Sequence, residues 1–350
     1  MENQLIMKPK VCAVVSTFNR KKLLIECLEA LRRQTRPVDA IFIVDGPSTD
    51  GTPEALFESG YIKELPPKDF DEVWETTNIV ISTKVTPIKV YYIRFKKDVG
   101  GAGNFHEGIK RALKEGCEWV WLFDDDAEPK EDALEKLLQY VQLPDVVALA
   151  SLKINTEGKI DATQTAYLDF NRGIRKIIVP INLDYVKSLI EIDFSAFNGF
   201  LINSKAIERA GLPKKEFFIY YDDVEYSLRL KQVGKIYLVP ESIILHKSKG
   251  VFCKSKKVLF ISSCRIPYSI LPRTFYRIRN TVFLMKKYTK SKIKLYTYLF
   301  FYFLKSTIAI LIFDDFKIRR IILLIHAIYD GIRGNFDNEL PYRILKITKK

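Results

Sequence analysis

Four short apolar runs alternate with segments of helical spacing over the first third of this chain, and that alternation narrows the possible folds more than any other feature. Residues 11–16, 40–44, 90–95 and 119–123 each read as a buried strand. Between the first two, Leu23, Leu24, Cys27, Leu28 and Leu31 recur at helical spacing within residues 21–33. Before the fourth, Gly100, Gly101 and Gly103 open a helix that continues through Phe105, Ile109, Ala112 and Leu113. Strand–helix alternation predicts an α/β fold, a Rossmann-like, mainly parallel sheet flanked by helices. In such sheets ligands sit beyond the carboxyl ends of the strands. The polar residues 17–20, Asp45, Asp98 and Asp124 to Asp126 fall at those ends. Residues 60–89 fit the pattern poorly and read as an insertion. Further on, residues 145–152, 199–203 and 236–239 read as strands, and Asp222 opens a helix that closes near Gly234.

Charge divides the chain. From residue 247 onward there are 23 Lys and Arg against 5 Asp and Glu, a net of +18, while the first 246 residues net −4. The basic part also carries an apolar stretch at 295–313, interrupted by Lys305, and a second at 321–332, broken by His326 and Asp330. Apolar runs mixed with cations favour an anionic membrane surface over nucleic acid, as interfacial helices rather than a spanning one. This organisation predicts a domain over residues 1–250, with halves at 1–130 and 131–250, and a basic, amphipathic helical region over 251–350. The five cysteines, Cys12, Cys27, Cys117, Cys253 and Cys264, are odd in number and lack a C-x-x-C pair. They predict neither a disulfide framework nor a zinc site, which fits a reducing compartment. The first ten residues have no apolar signal core, so the expected location is cytoplasmic, peripheral to the inner face of the membrane.

Asp124, Asp125 and Asp126 follow the apolar run WVWLF. Adjacent carboxylates repel one another unless a cation or solvent neutralises them. Asp124 and Asp126, at i and i+2, are candidate ligands for a hard divalent ion, magnesium or manganese, which suits carboxylate oxygens and a diphosphate. One of the three also has the position to cap the segment that follows. Asp222 and Glu225 form a D-x-x-E capping box, leaving Asp223 in the first helical turn as a candidate general base. His246 ends an apolar run, where a satisfied, half-buried histidine is the plainer reading. Gly100 to Gly103 could admit a phosphate, but neither a Walker lysine nor a full G-x-G-x-x-G is present.

In their order along residues 10–290, these pieces resemble the family 2 glycosyltransferases of the GT-A fold, among them bacterial galactofuranosyl- and rhamnosyltransferases. The matching segments are VVSTFNRKKLLIECLEAL, VDGPSTDGT, DVGGAGNFHEGI, WLFDDDAEP, FNGFLI, YYDDVEYSLR and FYRIRN. The resemblance implies that Phe18 and Arg20 line a nucleotide site and that Asp45 reads the base. It puts Asp98 near the ribose and diphosphate, and Asp125 with the donor-binding set. Asp124 and Asp126 would hold the metal, with His246 as a further ligand; Asp223 would be the base, with Asp222 positioning the acceptor. It further implies an inverting transfer from a nucleotide-diphosphate sugar, UDP-galactofuranose or dTDP-rhamnose, to a saccharide or lipid-linked saccharide, and a possible homo-oligomer. Asp222 and Asn198 are polar candidates for reading the donor's diol. Two departures stand out: Asp98 replaces a common Asn, and FNGF replaces a Trp-rich stretch. A sugar-phosphate nucleotidyltransferase is disfavoured because STFNR, not a glycine-rich basic loop, follows the first strand. The intact aspartates argue against a non-catalytic scaffold of the same fold.

Overall fold

The computed structural model of the chain describes residues 9–173, 177–181, 188–247, 253–258 and 261–348. The first apolar run forms strand β1 (Val11–Thr17), buried along its whole length. Helix α1 (Lys21–Arg32) follows, with Leu24, Cys27, Leu28 and Leu31 buried. Next come β2 (Ala40–Asp45), α2 (Thr52–Glu58), β3 (Val73–Ile81), β4 (Pro87–Phe95), α3 (Gly100–Lys114) and β5 (Trp119–Asp124). β1 pairs in parallel with β2 and β5, and β2 with β4. Helix α3 lies so close to the sheet that a Cβ on Gly108 would collide with Val14 and stand 3.0 Å from Val44, so only glycine fits there.

Residues 60–89 do not form a separate insertion. They contain β3, which pairs antiparallel with β4 from Val73 opposite Phe95 to Ile81 opposite Pro87 and makes one edge of the sheet. Its pattern is inverted: Thr76 and Asn78 are buried, while Ile79 and Ile81 are exposed. Both side chains donate locally, Thr76 to Glu64 at 2.8 Å and Asn78 Nδ2 to the Gly60 carbonyl at 2.8 Å. Hydrophobic alternation therefore carries no signal for this strand.

The chain continues through β6 (Ala127–Pro129), α4 (Ala133–Leu138), β7 (Val146–Ile154), β8 (Thr165–Leu168), β9 (Ile178–Pro180), β10 (Ile190–Ile192), β11 (Phe194–Ser195), β12 (Phe200–Asn203), α5 (Ser204–Ala210), α6 (Asp222–Leu230) and β13 (Lys235–His246). The main sheet has the order β10-β13-β7-β12-β5-β1-β2-β4-β3, with β6 attached to β13. β12 runs antiparallel between β5 and β7, and β7 is parallel to β13. Six strands thus point the same way, and their carboxyl ends bring Thr17, Asp45, Asp124, Ile154 and His246 to one edge. β13 outruns its apolar signal at 236–239 because a register shift between Val239 and Ile243 carries it past Pro240, which has no N–H to give the ladder.

The cysteine expectation is overturned. Cys12 bonds to Cys117, with Cα atoms 5.9 Å apart, and Cys253 to Cys264, at 5.6 Å. Cys27 remains a free, buried thiol. The first pair is 105 residues apart in sequence. It meets because β1 and β5 are neighbours, and that proximity belongs to the topology rather than to any spacing. Cysteine usage therefore gives no support to a reducing compartment.

The chain divides into two compact units. One comprises residues 1–167, 180–215 and 226–248; the other comprises 168–179, 216–225 and 249–350. The second contains a hairpin of β14 (Lys254–Val258) and β15 (Ile261–Arg265), then α7 (Leu271–Tyr288), α8 (Lys292–Phe313), α9 (Lys317–Arg333) and α10 (Leu340–Leu345). α7 and α9 pack so tightly that a Cβ on Gly331 would lie 2.6 Å from the Arg279 carbonyl. α8 leaves Ile293, Tyr296, Phe300, Phe301, Leu304 and Ile308 exposed, and α9 leaves Ile318, Ile322, Ile325 and Tyr329 exposed. α8 alone among the described helices is long and apolar enough to cross a membrane.

Candidate active site

In the first unit, β5 delivers the three aspartates to the carboxyl edge, and they differ at once in what surrounds them. Asp124 is half-buried; its backbone amide donates to Asn198 Oδ1 at 2.8 Å. Burial, then the charges of Asp126 and Asp125, push its carboxyl up to about 7. Asp125 is buried, accepts from Thr17 Oγ1 at 2.8 Å and from Arg20 Nη1 at 3.2 Å, and is raised to about 6, mainly by burial. Asp126 accepts from Arg20 Nη1 at 2.7 Å through Oδ2, whereas its Oδ1 is buried and accepts no hydrogen bond. That Oδ1 stands 3.6 Å from His246 Nε2, because β6 pairs with β13 and sets Ala127 opposite His246. The other ring nitrogen, Nδ1, lies 3.5 Å from Asp161 Oδ2. Asp161 is itself held by the Thr163 hydroxyl at 2.6 Å. Although burial lowers the histidine's affinity for a proton, the neighbouring carboxylates outweigh it and raise the pKa of His246, while the histidine draws Asp161 down to about 2.

Among the described residues, no three His, Cys, Asp or Glu side chains are gathered closely enough to hold a metal ion as they stand. The donor set nevertheless fits a hard divalent ion. Two ligands each about 2.1 Å from one ion can stand up to about 4.2 Å apart, and Asp126 Oδ1 and His246 Nε2 are within that span. The buried Asp126 oxygen, which accepts no hydrogen bond, is an atom that a cation would satisfy. Asp161 fixes the ring from behind, as outer carboxylates do for metal-binding histidines.

The remaining expected donor residues fall into place unevenly. Phe18 is half-buried over Gly46, where a Cβ would lie 3.1 Å from its ring. Arg20 is the counter-ion of Asp125 and Asp126. Asp45, one strand from Thr17, is fully buried: Ser48 Oγ donates to it at 2.5 Å, Tyr92 OH at 2.7 Å, and Arg94 forms an ion pair with it. Burial raises it to about 6 against those three donors. Asp98 accepts from the Gly100 amide at 2.8 Å, which sets it at the N-terminus of α3. Asn198 is buried beneath Asp124. The sequence offers no sign of Asp161 or Arg94, since neither belongs to a motif: Arg94 meets Asp45 across paired strands, and Asp161 meets His246 from a loop.

In the second unit, α6 begins at Asp222, so the expected capping residue is already the first helical one. Asp222 is buried, and burial followed by the charge of Asp223 lifts its carboxyl to about 8. Asp223 is half-buried and its Oδ1 accepts from the Val224 amide at 2.8 Å. Glu225 is fully buried, 4.0 Å from Lys287 Nζ. Burial and the neighbouring Asp223 both favour the protonated form of Asp222.

Solved structures share this architecture. GalNAc-T7, whose crystal structure holds UDP, GalNAc and Mn2+, superposes with a TM-score of 0.51 over 69% of this chain and 44% of its own, at 15% identity. Residues 1–349 of S. aureus TarS superpose with a TM-score of 0.50 over 96% of this chain and 90% of that one, at 13% identity. The fold, with its acidic carboxyl edge, is of the GT-A type. The family model described as "Glycosyl transferase family 2" matches residues 12–61 and 75–208, and the chain belongs to that family. Its relatives include the galactofuranosyltransferase GlfT1 of Mycolicibacterium smegmatis, 28% identical over 230 residues, 64% of this chain and 66% of that protein. The dTDP-rhamnosyl transferase RfbF of Shigella flexneri is 28% identical over 218 residues, 60% of this chain and 68% of that one. The match to GlfT1 thus spans just under two thirds of its length.

Proposed function

We propose that the protein is an inverting, metal-dependent glycosyltransferase that moves a sugar from a nucleotide diphosphate to a saccharide hydroxyl in the synthesis of cell-surface polysaccharide or glycolipid. The observation that carries this reading is the aspartate cluster at the carboxyl edge, with a buried, unsatisfied Asp126 oxygen 3.6 Å from His246. Asp124, Asp126 and His246 would hold manganese or magnesium, whose charge offsets that of the diphosphate leaving group. Phe18 and the loop fastened by Asp45, Ser48 and Arg94 line the nucleotide, while Arg20 and Asp125 set the charge beside the diphosphate. Asp98 stands at the start of α3 for the ribose and phosphates. Asp223 takes the proton of the acceptor hydroxyl as its oxygen attacks the anomeric carbon. The neutral Asp222 donates a hydrogen bond that orients the acceptor. Base catalysis of this kind contributes about 10²–10⁴-fold in rate.

The exposed apolar stripes of α8 and α9, with Lys286, Lys287, Lys290, Lys292 and Lys294 exposed at one end of α8, suit an anionic bilayer surface. The reading therefore places the enzyme on the cytoplasmic face of the membrane, with a lipid-linked saccharide as acceptor. UDP-galactofuranose is the first donor and dTDP-rhamnose the second, by likeness to the two named relatives. The test offers each donor alone to a lipid-linked saccharide pool and reads products by mass spectrometry, before and after chelation. Transfer from UDP-galactofuranose that stops with chelator and returns with manganese is expected. Transfer from dTDP-rhamnose alone would overturn the donor, and undiminished transfer in metal-free protein would overturn the metal. No transfer from either donor would count against the enzymatic reading.

A further inference from the structure

The segment that leads into Asp222 and Asp223 is held in an unusual conformation. Phe218, Tyr220 and Tyr221 have φ of 65°, 68° and 63°. Aromatic residues rarely adopt the left-handed region, and such a conformation persists only where the surroundings enforce it. The enforcing groups come from helix α7, from the FYRIRN segment. Asn280 is fully buried and its Nδ2 donates to three backbone carbonyls, those of Phe217 at 3.0 Å, Ile219 at 3.1 Å and Tyr220 at 2.8 Å. Arg279, also fully buried, donates from Nη2 to the carbonyls of Glu216 at 3.3 Å and Phe217 at 3.1 Å. Its Nε donates to Asn280 Oδ1 at 3.0 Å, which fixes which end of the amide faces the loop. The guanidinium is in turn boxed by the rings of Phe336 at 4.8 Å and Tyr276 at 5.2 Å, and bonded to Asn338 Oδ1 at 2.9 Å. Five hydrogen bonds from two adjacent buried side chains thus converge on four carbonyls within residues 216–220.

A carbonyl-binding amide oriented by a buried arginine is a costly way to pack a loop. Apolar packing would be cheaper, because every buried polar atom here must be matched. The arrangement makes sense where the direction of the chain matters more than its stability. We propose that Arg279 and Asn280 are positioning residues for the transfer reaction: they hold residues 216–220, and with them the left-handed Phe218, Tyr220 and Tyr221, in the path that sets the direction of Asp223. The proposal rests on Asp223 being the base.

The test is a double-substitution cycle on the full-length enzyme. Displacing a reacting group by about 1 Å costs on the order of 10²-fold. Asn280→Ala is therefore expected to lower kcat roughly 10- to 100-fold, with nucleotide affinity and donor KM within about twofold of wild type. In the Asp223→Asn background the same substitution should change the residual rate by less than about twofold, because groups acting as a unit are not additive. Arg279→Lys, which keeps the buried charge but lacks the fork, should repeat the pattern in milder form. It serves if Asn280→Ala melts at the assay temperature. An Asn280→Ala loss equally large in both backgrounds would overturn the proposal while leaving Asp223 as the base. An active Asp223→Asn enzyme would overturn the base, and this proposal with it. A wild-type kcat in folded Asn280→Ala and Arg279→Lys would overturn the proposal alone.

Discussion

Asp222 shows how much a single residue's neighbours decide. Its folded carboxyl sits at about 8, raised by burial and then by Asp223, against an ordinary value of about 3.9. The folded chain therefore holds a proton that the unfolded chain has already released between about pH 4 and 8, so stability falls as pH rises through that window. Asp222→Asn removes the dependence. Its melting temperature should gain on wild type steadily from pH 5 to 8, and the two should converge near pH 4; parallel curves would contradict the assignment. The setting of Asp124 and Asp126 at the end of a buried strand was legible because adjacent carboxylates follow an apolar run. That of Asp45 was not. A fully buried acid with three donors looks, in sequence, the same as an exposed one at a strand end. His246 lay between these cases, since only the pairing of β6 with β13 brings it to Asp126.

At the scale of elements, strands and helices with one apolar face were readable from periodicity, and those stabilised by polar burial were not. β1, β2, β4 and β5 follow the apolar runs closely, whereas β3 buries Thr76 and Asn78 and gives no apolar alternation to read. Helix α6 starts at Asp222 because the chain before it is shaped by α7, some sixty residues later, and no local capping rule contains that information. α8 has the opposite character: its sequence is apolar and most of it remains uncovered. Phe300, Phe301 and Leu304 are exposed, so replacing all three by Gln should leave the fold intact. The account expects wild-type protein to pellet with vesicles containing phosphatidylglycerol more than with phosphatidylcholine alone, and less at high salt. The triple variant should partition roughly tenfold or more weakly. Equal pelleting on neutral and anionic vesicles, or no change in the variant, would contradict a charged-membrane role.

At the scale of the whole molecule, the sequence divides labour between its two units. The first holds the aspartates, His246, Phe18 and Asp45; the second holds Asp222, Asp223, the clamp around residues 216–220 and the basic helices. The composition changes near residue 247, and the β14–β15 hairpin and helices α7 to α10 lie beyond that point. It could not anticipate that residues 168–179 and 216–225 group with that part, because long-range contacts such as Asn280 to Tyr220 leave no trace in composition. The central claim is that a metal-held nucleotide sugar is attacked by an acceptor that Asp223 deprotonates. It is tested most directly by single-turnover transfer with Asp223→Asn, alongside nucleotide titration of the same preparation. The account predicts a loss of transfer of about 10²–10⁴-fold with nucleotide affinity nearly unchanged; turnover above roughly a tenth of wild type would contradict it.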